Sequence, residues 1–264
     1  MNQKLPLLLT ATVNTRGMPQ ARFSPQEREE MYINTLRFYS RKLPDHPLVF
    51  TDNSGWDLNR IKSSLPDKYL LNTEFLSVGP HGFDISRGKG YNEILLMERA
   101  LEQSVFLREA RAFLKVTGRY PVFNIGYFLD CATWEILENG KDLYIDIKDH
   151  DLYRKLGLGW SSHFADVRLF GASQAFFLNY VVPEKYKLND NEGRLFEGLM
   201  YNLIKPQMQN RQLVYRFDRE PHFGGLEGSL IPAFSFAEKQ NSFKSRMKRL
   251  TGNVLRKVAP GFLF

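Results

Sequence analysis

Residues 113–120, FLKVTGRY, join an apolar run to two cations, a hydroxyl and a glycine, and the place of this stretch in the chain decides how the whole is read. Phe113 to Val116 predicts a buried strand, and Gly118 predicts a turn whose main-chain N–H groups are free to meet an anion. By itself the stretch suits a solvated turn as well as it suits a phosphate clamp. The segments that precede it separate these readings.

Working back from Phe113, Asn92 to Gln103 has the apolar spacing of a helix, opened by Ser86-Arg-Gly-Lys-Gly-Tyr91. Before that come a strand near Thr73 to Val78, a helix from about Asp57 to Leu65, and a strand Pro47 to Thr51 that ends at Asp52-Asn53-Ser54-Gly55. Ser24, Pro25 and Glu27 spell a helix start with N-cap, N1 proline and capping-box glutamate, ahead of Met31, Tyr32, Leu36, Tyr39 and Leu43 at helical spacing. Leu5 to Val13 is the first buried strand, followed by a polar loop through Arg16 and Gly17. Alternating strands and helices predict an α/β fold, a mainly parallel Rossmann-like sheet flanked by helices, with ligands outside the carboxyl ends of the strands. Thr10 to Arg16, Asp52 to Gly55, Arg87 to Gly90 and Lys115 to Arg119 all fall at such ends.

Beyond Tyr120 the pattern is less regular. A helix near Val122 to Leu137, strands at Leu143 to Ile147 and Ala165 to Phe170, and a helix Asn191 to Ile204 are expected. Residues 243–264 interleave Lys244, Arg246, Lys248, Arg249, Arg256 and Lys257 with Phe243, Met247, Leu250, Val254, Leu255 and Val258, a basic amphipathic tail suited to an anionic membrane surface.

The 264 residues, 43% of them hydrophobic and 14% aromatic, are enough for a substantial core, and a formal charge of +7 points to anionic partners. The lone Cys131 excludes a disulfide framework and a cysteine-rich zinc site. The short apolar run in MNQKLPLLLTATV is too brief for a signal peptide or spanning helix, so a cytoplasmic protein, peripheral on the inner face of the membrane, is expected. No RRM signature, helix-turn-helix pattern or zinc spacing is present, and nucleic acid is not an expected partner.

The order LLLTATVN, VFTDNSG, RGKGYNEILLMERALEQS, FLKVTGRY resembles the GT-A fold of nucleotide-sugar-dependent glycosyltransferases over about the first 130 residues, and more loosely beyond. TDNSG, GKGYNE and KVTGRY together resemble bacterial glycosyltransferases that build lipopolysaccharide or capsule. The resemblance implies one catalytic domain over 1–240, with a nucleotide-sugar-binding half at 1–130, an acceptor-side half at 131–240, and the tail at 241–264. It also implies donor contacts from Thr10, Ala11, Asn14 and Arg16, from Asp52, Asn53 and Ser54, from Lys89 and Gly90, and from Lys115, Thr117, Gly118 and Arg119. The expected partners are a nucleotide-sugar donor and a glycan or lipid-linked saccharide acceptor.

Lys115 and Arg119 stand where that fold has acidic metal ligands, so a divalent metal such as Mn or Mg is not favoured and no cofactor is expected. Two cations and a glycine turn can neutralise a diphosphate in the metal's place. Asp149-His-Asp151 is the one literal Asp-x-Asp, well past the expected slot. For a carboxylate base the candidates are Glu192, placed in line with the inward stripe of the 191–204 helix, Glu197 at the edge of that stripe, and Asp166. Glu93 suits either a helix-dipole cap or a sugar-hydroxyl ligand. A nucleotidyltransferase on a related sheet and a non-catalytic anion- or nucleic-acid-binding protein are the rival readings.

Overall fold

In the computed structural model, which describes residues 4–18, 21–149, 163–209, 212–224, 243–258 and 263, the first strand has no solvated face. Leu7, Leu9 and Ala11 of β1 (Leu7–Ala11) pack into one apolar cluster and Leu8 into the other, so the strand is buried on both sides and reads as a continuous apolar run. Such a strand needs helices above and below it. The capping box predicted at Ser24 forms: the Glu27 main chain donates to Ser24 Oγ at 3.3 Å and Ser24 N–H donates to Glu27 Oε2 at 2.8 Å, starting α1 (Pro25–Lys42). This helix buries Tyr32, Ile33, Leu36 and Tyr39 on the Leu9 side.

The chain continues through β2 (Leu48–Asp52), the short α2 (Asn59–Ser63) and α3 (Asp67–Leu70), and β3 (Thr73–Ser77). It then crosses the sheet by α4 (Lys89–Gln103) and α5 (Val105–Arg108) to β4 (Ala112–Thr117). β1 pairs in parallel with β2 on one side and with β4 on the other. The strand order β3-β2-β1-β4 therefore reverses direction between β1 and β4, and the crevice beyond their carboxyl ends is where such sheets bind ligands.

The second half adds α6 (Ile125–Ala132), which runs on as a π-helical turn over Thr133–Glu138, then β5 (Leu143–Tyr144), β6 (Ile147–Lys148), β7 (Phe164–Ala165) and β8 (Leu169–Ser173). The predicted strand 143–147 divides at Asp146 and the predicted strand 165–170 divides at Asp166, because Asp166 N–H donates to Asp146 O at 2.8 Å where the chain leaves the main sheet for the β6–β7 ribbon. β8 returns antiparallel to β4 and carries β5, with β9 (Leu213–Val214) completing a seven-stranded sheet.

The predicted helix 191–204 is shorter. A 3-10 turn over Asp190–Glu192 stops at Gly193, whose φ of 74° is left-handed, and α7 (Phe196–Ile204) begins only afterwards. Helix α8 (Phe243–Val258) is docked on the domain. Arg256 is buried and grips Asp146 with both terminal nitrogens, Nη1 to Oδ1 at 2.7 Å and Nη2 to Oδ2 at 2.8 Å, so it is not one of the solvated cations of a free tail.

Gly118 follows β4 because the two central strands nearly touch there. Its N–H donates to Thr10 O at 2.8 Å, and a Cβ at 118 would lie 2.8 Å from that same oxygen. Gly118→Ala should lower unfolding stability by roughly 1–3 kcal/mol, since main chain cannot move aside as a side chain would. At Gly126, in the first turn of α6, a Cβ meets nothing within 4 Å, and Gly126→Ala should leave stability unchanged or improve it. Denaturant unfolding of the two variants makes the comparison.

Candidate functional site

Two loops meet over the carboxyl ends of β1 and β2. Asp52 is fully buried, and its carboxylate accepts from Val13 N–H at 2.8 Å, from Ser54 N–H at 2.8 Å and from the Ser54 hydroxyl. Arg16, in a left-handed conformation with φ 50°, donates from Nη2 to Ser54 O at 3.0 Å. These bonds staple residues 12–16 to residues 52–55 as one wall of a cavity of about 650 Å³. Asp52 supports that wall from behind and does not line it, contrary to the expectation of a nucleoside contact. The surface is presented by Thr10, Ala11, Asn14, Arg16, Asn53 and Ser54. Asn53 is 6% exposed, and its Oδ1 is buried without a hydrogen-bond partner.

The floor is made where β4 ends. Period-two alternation places Phe113 and Lys115 on the α4 side of the sheet, opposite Leu114 and Val116. Lys115 is completely buried and spends its three protons inside the protein, on Val167 O at 2.7 Å, Thr117 Oγ1 at 3.1 Å and Glu93 Oε1 at 2.7 Å. The expected phosphate contact from Lys115 is therefore corrected: the ammonium lies under the floor and is taken. Thr117 and Arg119 do line the cavity, and Gly118 brings them over Thr10.

Arg119 lies along the Tyr120 ring and donates from Nη2 to Tyr120 Oη at 3.0 Å, while its Nε is buried without a partner. Lys89 faces the same space, and burial first, then Arg119 and Arg28, lowers its pKa. Arg28 was not anticipated from the sequence. It rises from the first turn of α1, donates from Nε to Thr12 O at 2.7 Å and from Nη2 to Tyr32 Oη at 3.1 Å, and lines the cavity. The only signal available was its place directly after the Ser24 capping box, which fixes the direction of that turn. Three cations so gathered repel one another unless an anion lies among them.

The helix N-terminus at Arg87-Gly-Lys-Gly90 is not an open anion site. Asp190 accepts from Lys89 N–H at 2.6 Å and Gly90 N–H at 3.3 Å, and burial raises its pKa against these bonds. A Cβ on Gly88, whose φ is 83°, would come within 2.4 Å of the Asp190 side chain. A protein carboxylate thus occupies the place expected for phosphate.

The three proposed bases separate. Glu192 does not point inward: with the 3-10 turn and Gly193 ahead of α7, it is exposed and pairs with Arg194 and Asn189. Asp166 is buried, but Arg168 holds both of its oxygens, Nε to Oδ1 at 2.8 Å and Nη2 to Oδ2 at 2.6 Å. Burial alone would raise the pKa of Asp166; Arg168 brings it below the ordinary value. Glu197, in the first turn of α7, lines the same cavity, and burial, followed by the charges of Glu93, Asp190 and Asp166, raises its pKa. A carboxyl poised in that way can take a proton at neutral pH more readily than an exposed one.

Arg28, Lys89 and Arg119 are not ligands for a divalent metal; the carboxylates that line the cavity with them are Glu93, Asp190 and Glu197. Among the described residues no cluster of three His, Cys, Asp or Glu is placed to hold one. Asp149 is bonded by Tyr201 and Lys205, and His150 and Asp151 lie outside the described residues.

Neither a protein-family model nor a curated protein sequence matches the chain. Among solved structures, the galactosyltransferase LgtC in complex with donor and acceptor sugar analogs aligns with 80% of this chain and 73% of its own, at 11% identity and a TM-score of 0.48. Staphylococcus aureus TarS 1-349 in complex with UDP aligns over 83% of this chain and 59% of its own, at 14% identity and 0.44. The Saccharomyces cerevisiae mannosyltransferase Ktr4p in complex with GDP aligns over 76% and 64%, at 12% identity and 0.38.

The raised pKa of Glu197 has a sign in stability. Between its unfolded value near 4.5 and its higher folded value, the unfolded chain loses the proton first, so this group costs stability as pH rises through that window. Glu197→Gln should therefore be more stable than the parent at pH 7, by on the order of 1 kcal/mol, with the gain vanishing toward pH 4. Thermal unfolding of both proteins across that range decides it.

Proposed function

We propose that the protein is a glycosyltransferase that moves a sugar from a nucleotide-sugar donor to a glycan or lipid-linked acceptor in bacterial surface polysaccharide synthesis, without a metal. The observation that carries this reading is the gathering in one cavity of the cations Arg28, Lys89 and Arg119 with the carboxyl of Glu197, at the switch point of a largely parallel sheet. Asn53, Ser54 and the 12–16 loop would hold the nucleoside.

In the reaction, the acceptor hydroxyl gives its proton to Glu197 and its oxygen bonds to the anomeric carbon. The carbon–phosphate-oxygen bond breaks, and its electron pair leaves with the nucleoside diphosphate. The charge that develops on the diphosphate falls among Arg28, Lys89 and Arg119, which supply in fixed position what a divalent cation supplies elsewhere.

A membrane-bound acceptor is supported by α8. With Arg256 turned inward, Met247, Leu250, Val254 and Val258 form one exposed apolar stripe at helical spacing on a segment that carries six Lys and Arg and no acid. Among the described residues no helix is long and apolar enough to cross a membrane. Replacing Leu250 and Val254 with Asp should reduce binding to phosphatidylglycerol vesicles at least tenfold in a sedimentation assay and leave donor hydrolysis intact. Equal vesicle binding would remove the membrane from the proposal.

The transferase reading is tested by thermal shift and turnover across nucleoside diphosphates and sugar nucleotides in EDTA, since a ligand that prefers the folded state raises its melting temperature. Arg119→Met should weaken nucleoside diphosphate binding roughly 10- to 100-fold, the loss expected for charge-assisted bonds. Turnover should rise with pH through the elevated pKa of Glu197, and Glu197→Gln should lose 10²–10⁴-fold together with that limb. Cleavage between the donor phosphates would indicate a nucleotidyltransferase instead, and activity lost in EDTA and restored by manganese would overturn the metal-free clause.

A further inference from the structure

We infer that Glu93 is the residue that reads the donor sugar, accepting a hydrogen bond from one of its hydroxyls through Oε2, and that buried Lys115 is there to hold it in place. The inference rests on the transferase reading and identifies the sugar subsite within it.

The first observation is how the carboxylate of Glu93 is used. Thr10 Oγ1 donates to Oε1 at 2.8 Å and Lys115 Nζ meets the same oxygen at 2.7 Å. Both partners lie behind it, Thr10 at the end of β1 and Lys115 under the end of β4. The side chain is still 21% exposed and lines the cavity, so Oε2 faces the space where a ligand would lie.

The second observation is position. In a sugar nucleotide the transferred ring sits between the diphosphate and the attacking hydroxyl. In this cavity the residues for those two ends are Arg119 and Glu197, and Glu93 lines the same space. Its free oxygen therefore borders the room that the ring must occupy. A carboxylate held from behind accepts from a sugar hydroxyl without reorganising, and bonds of this charge-assisted kind discriminate strongly between a hydroxyl and its absence.

The third observation explains Lys115. A fully buried ammonium is costly unless every proton is used, and all three are. It ties α4, β4 and Val167 to one point, which fixes the height of Glu93 above the floor. Lys115 is a positioning residue and touches no substrate.

The experiment measures binding of UDP, UDP-glucose, UDP-galactose, GDP and GDP-mannose by calorimetry to the wild type, to Glu93→Gln, and to Glu93→Gln/Lys115→Met, which removes the charge left unpaired by the first change. A sugar nucleotide should bind the wild type at least tenfold better than its nucleoside diphosphate, and both variants should lose that advantage, with Glu93→Gln binding the diphosphate within about threefold of wild type. Deoxy analogues of the preferred sugar nucleotide, tested on the wild type alone, need no variant to fold: removal of one hydroxyl should cost about tenfold, and removal of the others much less. If diphosphates bind but the sugar advantage survives in both variants, or if no single hydroxyl matters, Glu93 does not read the sugar and the transferase reading stands. If neither diphosphates nor sugar nucleotides bind the wild type, that reading and the inference fall together.

Discussion

The floor of the cavity is built over the ammonium of Lys115. A charge at the centre of a sheet is a severe cost unless each proton is placed, and placing them requires Glu93 from α4, Thr117 from the end of β4 and the carbonyl of Val167 just before β8. Three separate segments are thereby held at one height. Thr10 shares the same Glu93 oxygen, so β1 is tied in as well. The close approach of Gly118 to Thr10 then carries Arg119 out over this joint and into the cavity.

Around that joint the charges are sorted. Arg28, Lys89 and Arg119 come from α1, the start of α4 and the end of β4, and Glu197 comes to the same cavity from α7. Lys89 is pushed down by burial and by the other cations against a partial offset from Asp190 and Glu197, and Glu197 is pushed up by burial and by the other carboxylates. An arrangement that strains both kinds of charge costs stability in the folded protein and offsets that cost when an anion and a proton donor arrive together. Asp190, bound to the N–H groups of Lys89 and Gly90, keeps the N-terminus of α4 satisfied and leaves the side-chain cations to face a ligand.

The central fold was legible because its causes are local. The apolar run of β1, the capping box at Ser24 and the turn residues after β2 all form as the sequence suggests. The second half was less legible because four of its five described strands are two residues long and lie beside side-chain contacts, such as Asp146 with the Phe217 main chain and the Arg256 side chain, that no periodic pattern announces. Of the candidate site, Arg119, Lys89, Asn53, Ser54 and Glu197 line the cavity, each near a strand end or a helix start. Asp52, Lys115, Asp166 and Glu192 do not, and each fails for a different neighbour: Ser54, Glu93, Arg168 and Gly193.

The sequence by itself determined the order of strands and helices, the strand ends at which polar residues collect, and the excess of positive charge. These follow from apolar period, capping and composition, which act over a few residues. Only the tertiary structure decided which of those polar groups meet a ligand and which meet one another. That choice depends on partners as far apart in the chain as Glu93 and Lys115, or Asp146 and Arg256, and on burial, which makes an unpaired charge too costly to leave alone. FLKVTGRY therefore divides in space: Lys115 turns inward to support the floor, and Arg119 alone of its two cations reaches the cavity.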